Sequence, residues 1–136
     1  MLIIKPVQEK TDQDKFCAEC GVSYEPDALC YAAWVDEKLV GICQFKPMAG
    51  GAHIIDLVRA KGTDDLDALF IMGRQTMNII DLHGVHECWF DSTAVAETSA
   101  DFAKSLGFIE KNGKLWVDLN GFFNSPCEHG KAGSPG

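Results

Sequence analysis

Apolar residues recur at two spacings along the chain, and each change of spacing marks an element boundary. The opening run "LIIKPV" (2–7) predicts a short strand, with Pro6 suited to an edge or a strand end. A short helix follows, capped by Thr11, with Asp12 and Asp14 in its first turn, Phe16 and Cys20 on the core face and Gly21 just past its end. "ALCYAAWV" (28–35) and "LVGICQFK" (39–46), both rich in strand formers, predict a hairpin across the charged turn "DEK". After the loop "PMAGG" comes a fourth strand, "AHIIDLV" (52–58). From Asp64 the period becomes helical: Leu66, Leu69, Phe70, Gly73, Met77 and Ile80 share a face, Thr63 or Asp64 supplies the cap, and Gly84 ends the run. "HECWF" (86–90) reads as a buried strand and "AETSADFAKSL" (96–106) as an amphipathic helix stopped by Gly107. "FIEK" and "LWVDL" form a hairpin closed around Asn112 and Gly113.

A helix between the fourth and fifth strands makes a parallel crossover, while the hairpins on either side are antiparallel. The expected fold is therefore α/β of the α+β kind. It is a mixed, mostly antiparallel sheet of about seven strands with a central parallel crossover and about three helices. In this reading residues 1–123 form a single domain, and 124–136, rich in Gly, Pro and Ser, form a loose tail.

Composition narrows the class. With 46% apolar and 24% charged residues the chain is ordinary for a globular protein, not a fibre or a disordered segment. No apolar run reaches the roughly 20 residues that cross a bilayer. The start "MLIIKPVQEK" also lacks the apolar segment of a secretory signal, so a cytoplasmic protein with no membrane partner is expected. Twelve basic residues against 20 acidic ones give a net charge of −8, which opposes nucleic acid and anionic lipid and favours a cationic or neutral small molecule. In a reducing compartment the six cysteines are expected as free thiols.

Particular stretches carry a resemblance. "EKLVGICQF" has an apolar residue and a Gly after the hairpin turn, and "ADFAKSLGF" ends a late helix in Leu-Gly-Phe before the last hairpin. The distance from Val58 to Gly84 suits a central strand, loop and helix. In order and spacing, over nearly the whole chain, the sequence resembles the GNAT superfamily of N-acetyltransferases. The resemblance implies a fourth strand splayed from the fifth, with the pantetheine arm of acetyl-CoA in the gap. It also implies a pyrophosphate held by a loop of the form Gln/Arg-x-x-Gly-x-Gly/Ala at the head of the central helix, where free N–H donors and the positive dipole end face the anion. Leu57, Val58, Arg59, Lys61, Gly62 and Thr63 are the cofactor-binding candidates on this account.

The loop departs from that pattern. Arg59 and Gly62 match, but Asp64 stands where Gly or Ala belongs; counted by spacing instead, Thr63, Leu66 and Ala68 fall at the motif positions. Asp64, Asp65 and Asp67 would put three carboxylates into the first helical turn, satisfying its donors and repelling a diphosphate, with Arg59, Lys61 and Arg74 as partial offsets. In the late helix, Ala103 stands where the family often has a Tyr acid, and Ala96 where it often has an Asn.

For the base that takes a proton from an amine, Asp56 is the first candidate. A carboxylate between Ile55 and Leu57 on a central strand would have a raised pKa if it faces inward; the bland alternative is that it faces solvent or pairs with Arg59. Glu87 is the second candidate, with His53, Cys88 and Asp91 nearby. Cys17, Cys20, Cys127 and His129 are residue types that suit tetrahedral zinc, but a buried free-thiol core is the favoured account of the cysteines, and no metal is assigned. The expected activity is direct acetyl transfer from acetyl-CoA to a small or protein amine, with acceptor choice in loops such as 21–27 and 47–51. The alternative is a catalytically inactive protein of the same fold that binds a ligand or partner. Trp116, Phe122 and Phe123 near the last hairpin would suit a homodimer contact.

Overall fold

The computed structural model describes residues 1–91 and 99–123. Among these residues ten elements follow one another: β1 (Leu2–Pro6), α1 (Lys10–Cys20), β2 (Leu29–Val35), β3 (Lys38–Lys46), β4 (Ala52–Arg59), α2 (Leu66–Leu82), β5 (Glu87–Phe90), α3 (Ser99–Leu106), β6 (Ile109–Lys111) and β7 (Lys114–Asp118). Seven strands form one sheet in the order β1-β2-β3-β4-β5-β7-β6. Among the described residues only β4 and β5 run parallel; every other neighbouring pair is antiparallel. The mixed sheet, its parallel crossover and its three helices match the architecture expected from the hydrophobic pattern.

Both short hairpins close through two-residue turns with positive φ. Asp36 (50°) and Glu37 (71°) join β2 to β3, and Asn112 (55°) and Gly113 (79°) join β6 to β7. Two central residues in the left-handed region match the right-handed twist of the flanking strands. The first turn is therefore two residues long and Lys38 already belongs to β3, one residue earlier than expected.

Two separate apolar clusters cover the two faces. On one, α2 and α3 bury Leu57, Leu69, Met72, Met77, Ile80 and Phe108 against the sheet, each contributing about 1.5–3 kcal/mol by removal from water. On the other, α1 buries Cys17 and Cys20 against Cys30, Ile42 and Val58. Close approach of α2 depends on Gly41, where an added Cβ would lie 2.6 Å from both Leu69 Cδ2 and the Val58 carbonyl oxygen. That requirement explains the Gly in "LVGICQF" without reference to any ligand.

The helix starts differ from the expected ones. In α1 the N-cap position is Glu9, which makes no side-chain cap bond, and Thr11 is inside the helix. Lys10 Nζ instead donates to the Ala28 carbonyl (2.8 Å) and to Gln13 Oε1 (3.1 Å), anchoring the first turn without a hydroxyl cap. In α2 the cap is Asp65, whose Oδ1 accepts from the Ala68 N–H at 3.0 Å. Thr63 does not cap the helix: its hydroxyl is turned toward the carbonyls of Ala60 (2.7 Å) and Val40 (3.2 Å), to which it donates. Leu66, expected on the core face, is 38% exposed, while Met72 and Thr76 are buried there. The expected helix from Ala96 is described only from Ser99, and residues 124–136 lie outside the described residues.

Candidate active site

The parallel pairing between β4 and β5 covers three residues, Ala52–Ile54 against Cys88–Phe90, and the Asp91 N–H closes it on the Ile54 carbonyl at 2.8 Å. Beyond Ile54, β4 continues to Arg59 paired with β3. The β3–β4 register slips here: Gln44 faces Asp56 and Phe45 faces Ile54, so Ile55 has no partner in the register. A bulge of this kind re-aims the next side chain, and that side chain is Asp56.

Asp56 is half-buried and shares the α1 face of the sheet with Gln44, whose Nε2 donates to Asp56 Oδ2 at 2.7 Å. Burial raises the Asp56 pKa above the ordinary carboxylate range, the Gln44 bond opposes that shift, and the nearby Glu25 carboxylate reinforces it. Arg59 is exposed and forms no ion pair with Asp56. Gln44 is itself fully buried. Its Oε1 accepts from Gln13 Nε2 (2.8 Å) and from the Glu25 backbone N–H (3.1 Å), and its Nε2 also donates to the Ser23 carbonyl (2.9 Å).

Glu87 is not brought to Asp56. It is exposed at the start of β5, one residue before the Ala52–Cys88 pair, and its Oε1 accepts from Trp116 Nε1 at 2.9 Å. Strand rise puts it roughly 15 Å along the sheet from Asp56. His53 Nδ1 lies 2.9 Å from Asp91 Oδ2, and its ring stacks on Trp89 at 6.3 Å.

The segment from Arg59 to Asp65 is held by backbone hydrogen bonds to β3, to α1 and within itself. The Ala60 N–H donates to Val40 (2.9 Å), Lys61 to Glu19 (3.0 Å) and Thr63 to Ala60 (3.1 Å). Arg59, Lys61 and Gly62 are exposed, whereas Leu57 and Val58 are buried and registered with Cys43 and Ile42 of β3. At the head of α2, the Leu66 N–H donates to the Asp64 carbonyl and the Ala68 N–H to Asp65 Oδ1. Only Asp67 is inside the first turn, so the three carboxylates span the helix entrance and do not all lie in the turn. Arg74 is not among the loop's cations: Nε donates to the Leu106 carbonyl (2.7 Å), and the guanidinium lies over Phe70 (5.0 Å) and Phe122 (5.2 Å). Phe122 and Phe123 thus pack against the core formed by α2 and α3.

This topology has counterparts among solved structures. Mutant forms of the spermidine/spermine N-acetyltransferase from Vibrio cholerae match 93% of this chain and 99% of theirs, with TM-score 0.70 and 10% identity. The ribosomal-protein-S18-alanine N-acetyltransferase from Escherichia coli matches 82% of this chain and 80% of its own (TM-score 0.66, 11% identity). A Bacillus subtilis acetyltransferase in complex with CoA matches 88% and 99% (TM-score 0.66, 15% identity). The fold is that of the GNAT acetyltransferases. No protein-family model matches the sequence, and no curated protein matches it.

Against the GNAT pattern, the late-helix position of the Tyr acid is Ala103, fully buried in the core, and Ala96 lies outside the described residues. Cys17 and Cys20 are buried beneath α1, while Cys127 and His129 lie outside the described residues. Burial pushes the Cys17 thiol up to about 11 and those of Cys20, Cys43 and Cys88 up to about 12, and raises that of Cys30 as well. Among the described residues, no three metal-ligating side chains converge, and no helix is long and apolar enough to cross a membrane.

Gln13, Gln44 and Glu25 were not legible as site residues. The available signal was Gln44 itself, an amide at an inward position of the apolar run "LVGICQFK". Such a residue needs buried partners.

Proposed function

We propose that the protein is an N-acyltransferase that moves an acetyl group from acetyl-CoA directly to an amine, with Asp56 as general base. Asp56 carries the reading. It is a half-buried carboxyl just past the point where β4 leaves β5, held by one oxygen on Gln44, with its proton affinity raised by burial. A substrate ammonium must lose a proton before its nitrogen can attack, and a carboxylate with raised pKa is a better acceptor for it. Oδ1 takes that proton, directly or through one water, while Oδ2 stays on Gln44. Backbone N–H groups of β4 beyond Ile54 are the donors this reading assigns to the acyl oxygen. Acetyl-CoA supplies the acetyl group as a thioester, whose C–S bond breaks as the C–N bond forms. Ala103 provides no acid for the departing sulfur, which would leave as a thiolate, and the second proton of the attacking nitrogen would pass to solvent. The acidic chain, at −8, favours an amine-bearing acceptor.

The helix entrance fits a diphosphate less well than the strand split fits an acyl arm. Arg59 and Lys61 bring two positive charges against the three of Asp64, Asp65 and Asp67, and Asp65 already occupies the Ala68 donor. Weak cofactor affinity follows. The same observation favours a second reading, a protein of this fold that binds an amine without transferring to it. Calorimetric titration with acetyl-CoA separates the two: heat and a thermal shift support the transferase, and neither at millimolar cofactor leaves only the binding module.

A further inference from the structure

The amide of Gln44 is saturated. It has two N–H donors and an oxygen that takes two bonds, and the four are met by Asp56, Ser23, Gln13 and Glu25. Its orientation is set by chemistry, since the Ser23 carbonyl can only accept and the Glu25 N–H can only donate. Gln13, equally buried, extends the network to the carbonyls of Glu25 (3.2 Å) and Ala28 (3.5 Å), and Lys10 reaches Ala28 as well. One amide therefore links two things that neither its sequence position nor its own chemistry joins. These are the carboxyl on β4 and the backbone of residues 23–28, the segment between α1 and β2.

We propose that Gln44 is a positioning residue: it holds Asp56 by Oδ2 so that Oδ1 faces the acceptor, and it fixes the 23–28 segment, the acceptor-side wall, relative to that oxygen. This rests on Asp56 being the base and on nothing about how the acyl donor is held. Among the described residues, the other ionisable groups acting on Asp56 or feeling it are Glu25 before β2, Cys17 and Cys20 on α1, and Cys43 on β3. The thiols are neutral at physiological pH because burial raises their pKa values. Burial is the largest influence on the carboxyl and favours the proton; Gln44 opposes it by favouring the anion, and Glu25 adds to it.

The test follows the Asp56 carboxyl by carbon NMR across pH in the full chain, alongside acceptor kinetics. Gln44→Met removes both donors at similar volume. The Asp56 titration should move to higher pH, and kcat/KM on the acid limb should fall about tenfold, as expected for one lost charge-assisted bond. Gln44→Asn keeps a polar group in the site but withdraws the amide by one methylene, and it should shift the titration the same way if the Met variant does not fold. Gln13→Leu removes the bonds to 23–28 and one partner of Gln44 Oε1 but leaves both Gln44 N–H donors in place, so it should raise the acceptor KM severalfold and move the titration far less than Gln44→Met does. An unmoved titration in the Gln44 variants overturns the proposal whatever the activity, and so does a Gln13→Leu shift as large as that of Gln44→Met. A titration that moves in a protein transferring to no amine supports the hold of Gln44 on Asp56 and overturns only the transferase reading.

Discussion

Asp65 sits where a stabilising role and an anion-binding role conflict, and two substitutions separate them. Asp65→Ala removes both the charge and the bond to the Ala68 N–H. Asp65→Asn removes the charge and keeps an oxygen that caps as well as the carboxylate does. Loss of an N-cap bond costs about 1 kcal/mol. With 136 residues, each adding roughly 2.1 cal/mol/K to the unfolding entropy, the Ala variant should melt about 3.5 °C lower. The Asn variant loses only the favourable position of a negative charge at the helix dipole, a few tenths of a kcal/mol, and should melt within about 1 °C of the parent. Toward CoA the two should behave alike. One charge removed at roughly 6–8 Å from a diphosphate relieves about 1 kcal/mol of repulsion in water, a tightening of about fivefold, which shrinks as salt is raised. Melts of the free protein and calorimetry with CoA at low and high salt measure both effects. Unchanged affinity in both variants would show that the phosphates do not meet the head of α2. Unequal affinities would show that the cap matters to the ligand through structure rather than charge.

Asp56→Asn should abolish transfer and also raise the melting temperature at neutral pH. A carboxyl whose folded-state pKa is raised binds its proton more tightly folded than unfolded, so its favourable contribution is present below the ordinary carboxylate value and is lost as pH rises through the folded value. Melting curves should therefore converge as pH falls toward about 4, and a difference that grows instead would refute the raised pKa. The thiols offer an independent check. Cys17, Cys20, Cys30, Cys43 and Cys88 are buried and free, so at pH 8 a thiol reagent should label at most one of the six cysteines quickly in the folded protein and all six after denaturation. Rapid labelling of two or more would contradict the packing beneath α1 or α2.

The elements were legible where a local signal decides them. Gly21 ends α1 in the left-handed conformation, and Asn112-Gly113 fixes the last hairpin. The α2 cap was not, because Thr63, Asp64 and Asp65 are all competent caps and no local spacing selects Asp65; in the fold the Thr63 hydroxyl is turned to the carbonyls of Ala60 and Val40. Asp56 was legible as a carboxylate inside an apolar strand. Its partner was not, because Gln13 and Gln44 meet only when α1 lies across β3, and no spacing along the chain encodes that. Glu87 was a candidate by strand position alone; the register that places it opposite Asp118, beside Trp116, comes from the fold.

The brevity of the β4–β5 pairing has a consequence for how the molecule is made. β1 to β4 pair with their sequence neighbours or across α1, and can associate as they leave the ribosome. β5 meets β4 through three residue pairs only, across the whole of α2, so this closure comes late and at the larger entropic cost of a long loop. Until it happens, the edge of β4 at Ala52–Ile54 has no strand beside it. During synthesis that half-finished sheet, with its apolar surface and an open strand edge, is the species most exposed to aggregation.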